Sequence, residues 1–146
     1  MSIAALLAWV VTISVGLVLL VIWIIEYDSE FQSAAATRLP VPVISAHALL
    51  GMFSLMLWIS YLVIGNGRLA WAAIAALGTV AVLGLIMAAR WIRVYLTFAD
   101  PGPSFTRTST APPERSFPLP VVVAHGILAV TTLVLGVLTT LGAGRK

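Results

Sequence analysis

The chain has 146 residues, of which 61% are hydrophobic and 9% charged, and its formal net charge is +3. A soluble domain needs far more polar surface than this, so the composition indicates an integral membrane protein. Cysteine is absent, which excludes disulfides, iron–sulfur clusters and thiolate ligation of haem. No basic-aromatic tract supports nucleic-acid binding, and the expected surroundings are a lipid bilayer.

Four apolar runs are each long enough to cross a bilayer, which takes roughly 20 helical residues. They cover residues 3–25, 43–64, 69–89 and 119–141. We expect the first run to be retained, because it has no basic leader and is longer than the apolar part of a signal peptide. Sequential spans with short links pack as antiparallel neighbours. The sequence therefore predicts an all-α, up-down four-helix bundle forming one transmembrane domain, residues 1–146.

The connections between the spans differ in character. Gly65-Asn66-Gly67-Arg68, between the second and third spans, is short enough to form only a hairpin turn. Residues 100–116, before the fourth span, are rich in proline, serine and threonine. That composition predicts an irregular external loop.

One segment occurs twice, at the start of the second span and again at the start of the fourth. Residues 39–50, LPVPVISAHALL, recur as residues 117–128, FPLPVVVAHGIL, and each copy carries one of the two histidines in the chain, His47 and His125. The first and third spans show a weaker similarity. It aligns Gly16, Trp23 and Tyr27 with Gly84, Trp91 and Tyr95.

We interpret residues 1–64 and 69–146 as tandem two-helix repeats, related by an axis along the membrane normal. His47 and His125 would then enter the bundle from the same face, on diagonal helices and at one depth. A histidine inside a membrane is costly and tends to face the interior with a partner. Neutral imidazole is also an axial ligand of haem iron. The two histidines are therefore candidate axial ligands of a haem b.

Small residues follow each histidine at helical spacing. Gly51 and Ser54 lie one and two turns beyond His47, while Ala129 and Thr132 hold the corresponding positions beyond His125. Gly51 and Ala129 would leave room for a flat macrocycle against the backbone. Small residues are equally typical of closely packed membrane helices, so this pattern alone favours neither interpretation.

Two arginines, Arg90 and Arg93, end the third span on the side where the histidines enter. The guanidinium group binds carboxylates well, so both are candidates for holding haem propionates. The alternative is that they reach outward to lipid phosphates.

The A-H-x-x-L settings of His47 and His125 on alternate spans, with glycine and arginine nearby, resemble four-helix b-type membrane cytochromes. Examples are the cytochrome b561-like proteins and the haem anchors of succinate dehydrogenase. The resemblance implies haem held between helices and electron transfer to or from quinone or another carrier. The b561 pattern uses four histidines for two haems, whereas this chain has two histidines and could hold one haem. A partner membrane subunit or quinone would then complete the electron path. The chain could also form a homo-oligomer.

Other interpretations remain open. The chain could be a cofactor-free structural or assembly subunit, with the histidines as polar links between helices, or a bundle that binds lipid or quinone. A zinc site would need a further carboxylate, from Glu26, Asp28 or Glu30. An acid–base enzyme is disfavoured because the spans contain no paired carboxylates.

Residue usage, rich in alanine, valine, leucine and arginine with one lysine, indicates a bacterial cytoplasmic membrane. The acidic flank after the first span and the basic C-terminal tail favour cytoplasmic termini. The histidines would then lie towards the extracytoplasmic face.

Overall fold

The computed structural model describes residues 1–28, 37–99 and 112–143. Within them, the secondary structure consists of α-helices and one 3₁₀ turn, without strands. Each of the four α-helices is long and apolar enough to cross a membrane, and their many exposed large apolar side chains suit contact with lipid. These findings confirm the predicted all-α class. The elements are α1 (Ser2–Asp28), α2 (Val41–Ile64), α3 (Gly67–Ala99), the 3₁₀ turn (Pro113–Ser116) and α4 (Leu119–Ala143).

Helix α3 extends ten residues beyond the end of the apolar run that predicted it. The run ends at residue 89, but the helix continues to Ala99. Helix continuation requires backbone hydrogen bonds rather than apolar side chains, and residues 90–99 contain neither glycine nor proline. Arg90 and Arg93 therefore lie within α3 instead of at its end.

The turn between α2 and α3 is the predicted tight hairpin. Gly65 adopts the left-handed conformation, with φ 75° and ψ 8°, and its N–H donates to the carbonyl of Tyr61. This geometry ends a helix and favours glycine. The Asn66 side chain then accepts a hydrogen bond from the Arg68 N–H at 3.0 Å, which caps the start of α3.

Helices α2 and α4 begin in the same way. The carbonyls of Pro40 and Pro118, each just outside the helix, accept the first backbone hydrogen bonds. The second proline of each lead-in lies in the first turn, where its missing N–H costs nothing. His47 and His125 are consequently both the seventh residue of their helices, about 9 Å along the axis from the first residue.

The four helices form a ring in chain order. Helix α2 packs mainly against α3, α1 packs mainly against α4, and smaller contacts join α1 to α2 and α3 to α4. We call the two closely packed units the α2/α3 pair and the α1/α4 pair. Helices α2 and α4 are therefore diagonal, as predicted. The end of the bundle where α2 and α4 begin is called the histidine side, and the end with the Gly65–Asn66 turn the hairpin side.

Two apolar clusters fill the bundle, one near each end. On the hairpin side, Trp9 and Trp58 are almost completely buried, with ring centroids 5.4 Å apart. On the histidine side, the cluster contains Trp23, Leu39 and Ile44, with partly buried side chains packed against it. The histidines lie between the two clusters, in an interior that also contains the buried polar side chains of Thr12, Ser54 and Thr132.

Candidate histidine site

The two imidazole rings face one another across the bundle interior. The ring centroids of His47 and His125 are 6.2 Å apart, and the ring planes are inclined by 65°. Both side chains are partly buried. The sequence prediction that the two histidines meet at one level is confirmed by this distance.

Each imidazole is oriented by a backbone carbonyl of the helix beside it. His47 Nδ1 lies 3.0 Å from the carbonyl oxygen of Val80 in α3, and His125 Nδ1 lies 3.1 Å from that of Thr12 in α1. A carbonyl can only accept, so both Nδ1 atoms carry the proton and donate. In the neutral ring the lone pair is then on Nε2. Among the described residues, neither Nε2 has a hydrogen-bond partner.

Two glycines make this orientation sterically feasible. A Cβ atom on Gly16 would lie 2.8 Å from His125 Cε1, and one on Gly84 would lie 3.1 Å from His47 Cε1. Each glycine lies four residues after the residue whose carbonyl accepts the hydrogen bond from the ring. The ring and the glycine therefore meet on one helix face. The sequence comparison of the first and third spans aligned these glycines with one another. It did not identify them as neighbours of the histidines, because the sequence alone does not show which helix packs beside which histidine.

The small residues expected to line the site differ in their burial. Gly51 is buried, and a Cβ there would make an ordinary 4.0 Å contact with Val80. Ala129 is partly buried. Two turns from His125, the Thr132 hydroxyl is fully buried and lies 2.9 Å from that of Thr12, joining α4 to α1.

The two arginines lie away from the imidazoles. Arg90 and Arg93 are both exposed on the surface of α3. The Arg90 Nη1 donates to the carbonyl of Arg38, in the lead-in to α2, at 3.0 Å. This contact fixes one guanidinium at the rim of the histidine side.

A buried carboxylate, Glu114, was not anticipated from the sequence. It lies in the 3₁₀ turn, within the region predicted to be an irregular external loop, and it is fully buried. Its oxygens accept hydrogen bonds from the Thr37 hydroxyl, at 3.1 Å, and from the Arg38 N–H. Glu114 therefore joins the lead-in to α4 with the lead-in to α2. The rest of that predicted loop, residues 100–111, lies outside the described residues.

The distance between the two imidazole rings is the one expected for two ligands of a single iron. Ring nitrogens bind transition metals at about 2 Å, so two imidazoles on opposite sides of one iron have ring centres roughly 6 Å apart. The observed 6.2 Å agrees with this value. A carbonyl that accepts from Nδ1 is the usual outer partner of a metal-binding histidine, because it leaves Nε2 for the metal. His47 belongs to the α2/α3 pair and His125 to the α1/α4 pair, so the space between them is the seam between the two pairs.

Among the described residues, no side chain joins the two histidines to complete a zinc site. Within residues 1–28, 37–99 and 112–143, no group of three or more histidine, cysteine, aspartate or glutamate side chains could hold a metal ion. Glu30 and the side chain of Asp28, two of the carboxylates considered above, lie outside the described residues. A haem needs only two protein ligands, and therefore fits this donor set better than zinc.

Comparisons of the chain with protein-family models, with curated proteins and with solved structures found no match.

Proposed function

We propose that this protein is a membrane-embedded, single-haem b-type cytochrome that acts in electron transfer, with quinone as a candidate redox partner. His47 and His125 would be the axial ligands. The observation that carries the proposal is the pair of imidazoles 6.2 Å apart, each donating from Nδ1 to a carbonyl and leaving Nε2 without a partner. When bound, the haem supplies one-electron redox chemistry that the side chains of this chain lack.

The residues around the histidines would orient the ligands and admit the macrocycle. The carbonyls of Thr12 and Val80 hold the imidazole planes, and the hydrogen bonds make Nε2 a better electron donor to iron. Gly51 and Ala129 would let the haem approach the backbone. Arg90 and Arg93, at the rim of the histidine side, would attract the negative propionates.

The proposal includes a tandem repeat of the two-helix halves, 1–64 and 69–146. The support for the repeat is that the contacts to the imidazole rings follow the same order in both halves. In each half a backbone carbonyl accepts from one ring, and a glycine four residues later contacts that ring. These residues are Thr12 and Gly16 in the first half, and Val80 and Gly84 in the second. We place the protein in a bacterial cytoplasmic membrane, with cytoplasmic termini and the histidine side facing outward.

One observation favours a second candidate, a cofactor-free structural subunit of a larger membrane complex. The hydrogen bonds of His47 to Val80 and of His125 to Thr12 already join helices without any ligand. Buried polar links of this kind stabilise membrane helix packing by themselves. In that function the Nε2 atoms would have no role.

Absorption spectra of the detergent-purified chain, expressed with excess haem, separate the two candidates. We expect a Soret band in the oxidised protein, a sharp α band after dithionite, and one haem per chain. His47→Ala and His125→Ala should each abolish the sharp α band. Ser45→Ala, an exposed position in the same turn of α2 as His47, is the matched control and should keep the spectrum. Absence of a Soret band, or its survival in the double alanine variant, would overturn the proposal.

A further inference from the structure

Two buried indole N–H groups in this bundle have no hydrogen-bond acceptor. Trp23 in α1 is 7% exposed and Trp91 in α3 is 5% exposed. The Nε1 atoms of both are buried and lack a partner, and no other side-chain nitrogen or oxygen of the described residues shares this state. An indole nitrogen can only donate, and a buried donor without an acceptor is costly. A matched pair of such donors therefore points to an acceptor supplied from outside the chain.

The two tryptophans occupy equivalent places relative to the histidines. Trp23 is seven residues after Gly16, which receives the His125 ring, and Trp91 is seven residues after Gly84, which receives the His47 ring. Seven residues are two helical turns, so tryptophan and glycine share a helix face, with the tryptophan about 10 Å nearer the histidine side. That distance is comparable to the reach from a haem iron to its propionate carboxylates.

Each tryptophan is also held by a neighbouring ring on its own helix. The ring centroids of Trp23 and Tyr27 are 4.6 Å apart, and those of Trp91 and Tyr95 are 5.2 Å apart. The nearby buried carboxylate of Glu114 already accepts hydrogen bonds at both oxygens. The chain thus presents two positioned donors, on the diagonal helices α1 and α3.

We propose that the Trp23 and Trp91 indole N–H groups donate to the two propionates of the haem, one to each carboxylate. This inference rests on the proposed function, because it takes the haem between His47 and His125 as given. An uncharged donor stabilises a carboxylate without burying a second charge. Arg90 and Arg93 would neutralise the propionates from the exposed rim, while the indoles fix their direction from inside.

The test removes donor and acceptor separately. Apoprotein is loaded with protohaem or with its dimethyl ester, and transfer of each haem to excess apomyoglobin gives its dissociation rate. We expect Trp23→Phe and Trp91→Phe each to accelerate loss of protohaem about tenfold. Loss of the ester should change less than twofold. Trp71→Phe, at an exposed tryptophan on the hairpin side, is the matched control and should leave both rates unchanged.

A second measurement uses the unmodified protein, in case a phenylalanine variant does not fold. In ¹⁵N-tryptophan-labelled wild type, two of the five indole N–H resonances should shift downfield with protohaem relative to the ester. Equal effects of the substitutions on both haems, or five unchanged resonances, would overturn the inference while the haem itself stays bound. If neither haem gives a Soret band, the proposed function fails and this inference with it.

Discussion

Replacing Gly16 by alanine tests whether the helix backbone positions the imidazole of His125. The new Cβ would lie 2.8 Å from His125 Cε1, whereas carbon atoms in contact prefer about 3.5 Å or more. The ring must therefore move by about 0.7 Å. Such a movement stretches the 3.1 Å hydrogen bond to Thr12 to about 3.8 Å, which is no longer a hydrogen bond.

The expected free-energy change follows from three contributions. Overpacking costs about 1–3 kcal/mol and the lost hydrogen bond about 1 kcal/mol, while alanine is favoured over glycine in a helix by about 0.5–1 kcal/mol. Gly16→Ala should therefore lower the free energy of unfolding by about 2 kcal/mol. At Gly84 the corresponding distance is 3.1 Å, so the ring need move only about 0.4 Å and Gly84→Ala should cost less than about 1 kcal/mol.

Reversible unfolding of the apoprotein in mixed detergent micelles, followed by helical circular dichroism, measures these differences. Gly126→Ala is the matched control, because a Cβ there meets no atom within 4 Å although the residue adjoins His125. It should be as stable as the wild type or slightly more stable. The reasoning is refuted if Gly16→Ala has the same free energy of unfolding as Gly126→Ala. It is also refuted if Gly84→Ala lowers the free energy of unfolding more than Gly16→Ala does.

Three further predictions concern other contacts in the bundle. Thr12→Val and Thr132→Val each break the buried hydroxyl pair between α1 and α4, so each should cost about 1 kcal/mol and the double variant less than the sum, measured from unfolding midpoints. Glu114→Leu removes the acceptor of the Arg38 N–H, while the Thr37 hydroxyl keeps the Leu39 carbonyl as an acceptor. It should therefore cost about 1–2 kcal/mol and accelerate hydrogen exchange at the Arg38 amide. In the haem-loaded protein, His125→Met should keep one haem and raise its midpoint potential in a redox titration, because methionine ligation favours ferrous iron.

Each of these has a control and a contradicting result. Thr131→Val is the control for the hydroxyl pair, because it removes an exposed hydroxyl bonded only within its own helix. If it destabilises the protein as much as Thr132→Val, the prediction for the hydroxyl pair is wrong. Glu114→Gln keeps one carbonyl acceptor and should retain most of the stability. The second prediction fails if glutamine and leucine behave alike. An unchanged potential with methionine would mean that His125 does not bind the iron.

The sequence was sufficient to predict the parts of this fold that depend on local chemistry. Span number follows from apolar length, and the hairpin follows from Gly65 and Asn66. The common depth of His47 and His125 follows from two lead-ins with the same proline spacing. The length of α3 was underestimated, because hydropathy measures where a helix prefers lipid and not where its hydrogen bonding stops.

The features that sequence reasoning missed depend on contacts between distant residues. Glu114 is buried because its donors, Thr37 and Arg38, come from a segment more than 70 residues earlier. Nothing local distinguishes it from an exposed loop carboxylate. The ring contacts of Gly16 and Gly84 likewise depend on which helix packs beside which histidine, and this is set by the pairing of α1 with α4 and of α2 with α3.

That pairing also determines the order in which the site can form during biosynthesis. Helices α2 and α3 are neighbours in the chain, so His47 gains its carbonyl partner as soon as their hairpin has inserted into the bilayer. Helix α1 is made first of the four, yet its main partner is α4, the last of them. His125 therefore stays without its carbonyl until α4 inserts. Any ligand held between the two histidines must bind after all four helices have entered the membrane.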